Sequence, residues 1–442
     1  MSDLPIGPAE FDTLQRETFE YFVREASPHN GLIADKTQPG APASIAAVGL
    51  ALSVYPVGVE RKFMDRAEAV RRILTTLRFL NDSVQGIQAD ATGYKGFYYH
   101  FLDMKSGRRV WECELSTIDT AFLLAGMLTA AAYFLGDTDD EHEIRALADK
   151  LYRRADWQWA QNGGQAVSQG WKPESYFLTY RWQGYDEAMF LYLLGLGSPT
   201  FPLPIESYAA WTSTYQRRHI YGHDLLYAAP LFTHQISHLW FDMRGLRDAY
   251  MRGKGSDYFE NSRRATYVQQ RYVIDNPHGF SDYSETCWGI TASDGPGPST
   301  IKIAGRKRHF FDYLARGVPE GPDDGTLAPW ALVASLPFAP EIVLPTLDYF
   351  INHLNLKTKD RLGFKATFNP THPDRSENPF GWVSPWQFGL NQGPIVLMIE
   401  NYRSGLPWRL MRSSSYVTRG LRRAGFTGGW LDGHDGSRPP AT

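Results

Sequence analysis

Glu187 lies in the string YRWQGYDEAMFLYLLGLG, where an aromatic loop and a glycine lead into two acids and then an apolar run. Acid-catalysed cleavage of an acetal needs a carboxylic acid that keeps its proton near neutral pH. Burial beside aromatic rings does this by disfavouring the charged form. The same acids could instead complement a helix N-terminus. Asp186 is expected to serve as the cap and Glu187 to point inward from the helix mouth. Glu114 and Asp119, in WECELSTIDTAFLLAG, form a second candidate set. Asp119 opens an otherwise apolar helix, where a charge needs backbone amides or a partner. Asp242 in WFDMRG, and Glu285 and Asp294 in SETCWGITASDGPG, stand beside aromatics at positions usual for loop-stabilising acceptors. GPDDGT, at Asp323 and Asp324, reads as a turn.

Other chemistries find little support. There is no Walker A loop, GxSxG elbow, HExxH or zinc-spaced Cys/His cluster. His234 and His238 would share a helix face, but no carboxylate at recognisable spacing completes a ligand set, so no metal and no cofactor are expected. A net charge of -3, spread along 442 residues, argues against capture of nucleic acid or an anionic membrane and for a neutral partner. Thirteen Trp and 24 Tyr exceed what most cores need, and the surplus falls in Gly- and Pro-rich segments where sugar rings could stack. Cys113 and Cys287 are too few and too far apart to form a disulfide framework. The N-terminus shows no signal pattern, so the chain as written is expected to be cytoplasmic, or periplasmic or secreted had a signal segment been removed. Oligomeric state is not legible.

These residues must be positioned by helices. Ala9 to Arg24 and Ala67 to Leu80 carry apolar residues at helical spacing, whereas SIAAVGLALSV and STIDTAFLLAGMLTAAAYFL are apolar all round and predict buried helices. The alternation continues with Glu141 to Gln161, DEAMFLYLLGLG, Glu206 to Arg218, EIVLPTLDYFINHL and QGPIVLMIENYRSG. Alternating inner and outer helices with long loops suit a barrel of paired helices. The Gly- and Pro-rich stretch from about Leu226 to Pro337 is expected to form the substrate cleft. Residues 1–430 are expected to form one domain and 431–442 a flexible tail.

From Tyr180 onward the chain resembles the glucoamylase-like domain family that includes bacterial endo-β-1,2-glucanases and, more distantly, part of the cyclic β-1,2-glucan synthases. The matching strings include TYRWQGYDEAMFLYLLGLGSPT, LFTHQISHLWFDMRGLRDAYM, WGITASDGPG and NQGPIVLMIENYRSGLPWRLM. The resemblance implies an all-α (α/α)6 barrel with a cleft at one end, and a glycoside hydrolase acting on a glucan or gluco-oligosaccharide, β-1,2-linked by preference. It implies inversion at the anomeric carbon, Glu187 as general acid, and Asp119 as a carboxylate that handles substrate. Many members appear with Asp in GIDQGP where this chain has Asn391. An amide cannot take a proton from water, so the base is expected among Asp119, Glu114 and Asp294. Trp182, Tyr185 and Trp288 are the stacking candidates, Arg181 and His234 the hydroxyl binders, and Asp242, Asp294 and Asn391 complete the substrate-binding set. The alternatives are a transglycosylase, a non-catalytic carbohydrate binder, and a lyase or cyclase.

Overall fold

The computed structural model describes residues 6–357 and 360–433. Among them, six amphipathic helices alternate with six buried segments. The outer helices are Pro8–Arg24, Arg66–Asp82, Asp139–Arg154, Ile205–Thr212, Tyr258–Asp275 and Pro340–Asp348. The inner segments are Ile45–Glu60, Thr117–Tyr133, Met189–Gly197, the paired 3-10 turns Leu231–His234 and Ile236–Leu239, Pro329–Ala334 and Gly389–Arg403. The split follows composition. The 66–82 helix buries Val70, Ile73, Leu74, Leu77 and Leu80 along one stripe, whereas every residue from Ile45 to Gly58 is buried.

The inner ring closes on itself. The 45–60 helix packs on the 117–133 helix, which packs on 189–197. The Phe190 N–H then donates to Ser237 Oγ (3.2 Å) and Gln235 Nε2 to the Ala331 carbonyl (2.6 Å), carrying the ring through the 3-10 turns. The 329–334 helix packs on 389–403, which returns to 45–60. This is the (α/α)6 arrangement. Glycines set the closest approach in the ring, for a Cβ on Gly126 would lie 2.0 Å from the Gly49 carbonyl oxygen. Strands are short, the longest being the hairpin of Ser299–Ile303 with Arg306–Phe310.

Several boundaries differ from those read in the sequence. The segment from Glu141 to Gln161 is two helices, because Asp156 Oδ1 caps a new turn at Trp157–Ala160 (2.9 Å from the Trp159 N–H). The helix expected to reach Arg218 ends at Thr212, and Arg217–Ile220 pairs with His223–Leu226. The connecting Tyr221 and Gly222 both have positive φ (49° and 80°), the conformation of a tight hairpin turn. The stretch 226–337 is no continuous loop, since it contains the 18-residue helix Tyr258–Asp275. Of the tail expected over 431–442, only residues 431–433 are described. Leu431 is buried in the 3-10 turn Gly429–Asp432, and 434–442 lie outside the described residues. No described helix is long and apolar enough to cross a membrane.

Candidate active site

The buried segments start at one end of the ring, and a cavity of about 370 Å³ opens there. Asp119 comes from the first turn of the 117–133 helix, Glu187 from the residues leading into 189–197, and Asn391 from the first turn of 389–403. Asp294 reaches the same wall from the loop after Ala292–Ser293. Four residues drawn from distant parts of the sequence therefore meet. The apolar walls are built by Phe101, Phe122, Phe232, Trp330 and Phe388.

Glu187 and Asp186 divide their tasks as expected. Asp186 Oδ1 accepts from the Ala188 N–H (3.0 Å) and from Trp211 Nε1 (2.8 Å) at the helix entry. Glu187 faces the cavity without such donors from side chains. Burial first, then the charge of Asp186 and more weakly that of Asp119, pushes its carboxyl up to about 8. It thus keeps its proton at neutral pH, as an acid catalyst must.

Asp119 is both cap partner and site residue. Its N–H donates to Ser116 Oγ (3.1 Å), while the Ser116 hydroxyl donates to Asp119 Oδ2 (2.5 Å). Oδ1 lies 3.7 Å from His100 Nε2. His100 reaches this position because Tyr98 pairs with Ser116 and Tyr99 with Leu115, which sets His100 opposite Glu114. Its Nδ1 then lies 2.8 Å from Glu114 Oε1. Burial lowers the imidazole pKa, but the Asp119 charge, the Glu114 hydrogen bond and the charges of Glu114 and Asp35 together push it up to about 9. Burial raises Glu114, and the bond to and charge of His100 overcome this to hold it below the usual carboxylate range. One ligand atom from each of His100, Glu114 and Asp119 falls within 4.8 Å of the others, a spacing that could hold a cation. With both ring nitrogens protonated, however, the imidazolium is itself the cation between the two carboxylates. Glu114 is consequently a partner of His100 and is not on the cavity wall.

Six expected substrate binders are not on that wall. Arg181 spends its guanidinium on the carbonyls of Gln161 and Ala166 (both 2.6 Å). The indole N–H of Trp182 goes to Thr117 Oγ1 (3.0 Å) and that of Trp288 to Thr346 Oγ1 (2.9 Å), and both rings are core. Tyr185 packs among Tyr215, His234 and Tyr258. His234 is buried, bonded to the Ala228 carbonyl (3.1 Å), and pushed down to about 4 by burial. Asp242 is buried against Arg244 (2.8 Å) and Arg412. Aromatic-rich strings mark both core and cleft, and only packing separates the two. Glu285 is exposed. Asp324 is more than a turn residue, forming a fully buried two-point ion pair with Arg316 (2.7 and 2.8 Å). Arg316 also donates to the Ser293 carbonyl (2.7 Å), which anchors the strand next to Asp294.

Sequence reasoning missed Asp35, His100 and Tyr313, all of which line the cavity. Asp35 ends a turn-rich string, NGLIAD, that carries no motif. Only the pairing of its N–H with the Pro42 carbonyl (2.7 Å) and its carbonyl with the Gly389 N–H (2.9 Å) brings it beside Asn391. Trp111, 67% exposed and at φ 56°, packs on Phe101 (5.2 Å between centroids), which stacks on His100 (3.9 Å). It forms an aromatic rim next to the cavity.

Residues 179–415 match the family described as "Putative glucoamylase", a span of more than half the chain. The chain belongs to this family. This glucoamylase-family chain is 30% identical, over 93% of its length, to the exo β-1,2-glucooligosaccharide sophorohydrolase (non-reducing end) of Parabacteroides distasonis, and spans 57% of that relative. The solved "putative glucoamylase" of Bacteroides uniformis superposes with a TM-score of 0.85 at 33% identity, covering 96% of this chain and 99% of that one. The endo-β-1,2-glucanase of Chitinophaga pinensis, solved with sophorotriose and glucose, gives 0.80 at 26% identity, covering 94% of this chain and 97% of that one.

Proposed function

We propose that this chain hydrolyses β-1,2-glucosidic bonds in a glucan or gluco-oligosaccharide, with Glu187 as general acid and inversion at the anomeric carbon. The observation that carries this is a carboxyl group held protonated at neutral pH on the wall of an aromatic-lined cavity, facing further carboxylates. Relatives whose names specify β-1,2-glucan substrates support the linkage. Glu187 gives its proton to the glycosidic oxygen as the bond to the anomeric carbon breaks, and water attacks from the opposite face of the sugar. Phe101, Phe122 and Trp330 offer flat apolar surfaces to sugar rings, while carboxylates and the Asn391 amide meet hydroxyls. Acetal hydrolysis by two carboxyl groups requires no metal or organic cofactor.

The test is product analysis of the protein and its Glu187→Gln variant on linear β-1,2-glucan, alongside β-1,3, β-1,4 and α-1,4 glucans. Shortening of the β-1,2 chain by the wild type alone is expected, and the anomeric form of the first product, read by NMR, checks inversion. Products longer than the substrate would mean that a sugar replaces water as acceptor. An intact glucan in both reactions would refute the proposal.

A further inference from the structure

Hydrolysis needs a group that takes the proton from the attacking water, and the Asn391 amide on the cavity wall cannot do so. The carboxyl groups on that wall are Asp35, Asp119, Glu187 and Asp294. Glu187 is the acid in the reading above, on which this inference rests. Asp294 Oδ2 accepts the Ser384 hydroxyl at 2.6 Å. Asp119 holds the Ser116 hydroxyl at 2.5 Å on one oxygen and faces the His100 imidazolium at 3.7 Å with the other, so both its oxygens are already engaged by partners. Asp35 is different. Among the described residues its carboxylate has no hydrogen-bond donor in a side chain, whereas its backbone N–H and carbonyl are both pinned (2.7 and 2.9 Å). A rigid backbone therefore presents a carboxylate with free lone pairs into the cavity, next to the first turn that carries Asn391.

We propose that Asp35 is the general base. Its carboxylate removes one proton from water as the water oxygen forms a bond to the anomeric carbon. The bond from that carbon to the glycosidic oxygen breaks, its electron pair staying on the departing oxygen, which receives the Glu187 proton. One water is consumed, Asp35 ends protonated, Glu187 ends ionised, and solvent resets both. The surroundings suit the task. Burial raises the Asp35 carboxyl to about 6 against the opposing charges of His100 and Lys36, with Asp119 raising it further. The phenols of Tyr21 and Tyr313 also lie within its field. Asp35 is thus a stronger base than an ordinary aspartate, yet ionised at pH 7.

The experiment compares the wild type with Asp35→Asn, Asp35→Glu and Asp119→Asn on a β-1,2-gluco-oligosaccharide, with and without sodium azide. The wild type should show an acid limb in kcat/KM near pH 6. Asp35→Asn should lose roughly 10²–10⁴-fold in kcat/KM. Azide, a nucleophile that needs no base, should restore turnover in Asp35→Asn, producing a glycosyl azide of anomeric configuration opposite to the substrate and abolishing the acid limb. An unfolded variant cannot be rescued in this way, and partial activity in Asp35→Glu would further separate chemistry from folding. Activity of Asp35→Asn within about tenfold of the wild type, or azide rescue of Asp119→Asn but not of Asp35→Asn, would overturn the assignment while leaving the hydrolase reading intact. A wild type that leaves the oligosaccharide uncut overturns both.

Discussion

Glu187→Gln keeps the shape of the side chain and removes the proton it would donate. Raising this carboxyl from 4.5 to about 8 disfavours its ionised form by about 5 kcal/mol. At pH 7 the protonated form, a minor one for an ordinary glutamate, accordingly becomes the main one. Under the proposed mechanism, burial, the Asp186 charge and the weaker Asp119 charge are what keep this acid protonated at neutral pH. In kcat/KM against pH, activity on β-1,2-gluco-oligosaccharides should fall above about pH 8, as Glu187 ionises in the free enzyme. Glu187→Gln should lose roughly 10²–10⁴-fold and with it the alkaline limb. With a 2,4-dinitrophenyl leaving group, which departs without protonation, the same variant should come within about tenfold of the wild type. Asp186→Asn removes the neighbouring charge and should move the alkaline limb to lower pH. Stopped assays of reducing ends across pH 5 to 10 read all three proteins. An alkaline limb persisting in the residual activity of Glu187→Gln, or an equal loss with both leaving groups, would falsify the acid assignment.

Other consequences follow from neighbouring groups. The His100 imidazole is raised in the folded protein from 6.5 to about 9, so its stabilisation is fully present below pH 6.5 and lost as pH rises through 9. The loss is on the order of 3 kcal/mol as an upper limit for a partly solvated ring, and thermal unfolding across this range should show a smaller pH slope in His100→Gln. Asp324→Asn leaves Arg316 as a buried charge without its counterion and should destabilise by about 3–5 kcal/mol in denaturant titrations; a loss below 1 kcal/mol would show that the pair is dispensable. Trp111→Ala should raise KM for longer oligosaccharides with little change for the shortest cleaved substrate, because its exposed ring adjoins Phe101 outside the acid-bearing pocket. Equal effects at all chain lengths would remove it from the binding surface.

Much of the scaffold was legible in composition. Stretches that are apolar all round, such as 45–58 and 117–130, have no solvent face and must lie inside, while striped helices such as 66–82 must lie outside. Boundaries failed where a local signal is weak against a longer pattern, as at Asp156, whose side chain caps a new turn, and at the Tyr221–Gly222 hairpin. Within the site, Glu187 and Asp119 were visible because an acid at the mouth of an apolar helix is costly unless it has a partner or a task. Trp182, Trp288 and Tyr185 looked like sugar platforms because the sequence does not show which face of a ring meets solvent. In the fold all three pack against other side chains.

By itself, then, the sequence determined the helical alternation and the place of Glu187 at the mouth of an apolar helix, because these depend on side-chain type and short-range spacing. Only the tertiary structure decided the cavity wall. His100 lies between Glu114 and Asp119 through strand register, and Asp35 stands beside Asn391 through backbone bonds to Pro42 and Gly389. The protonation states decided there, an acid at Glu187, a cation at His100 and a raised carboxyl at Asp35, come from burial and from charges brought together across hundreds of residues. Desolvation and Coulomb energy depend on distance in space, which no linear spacing encodes.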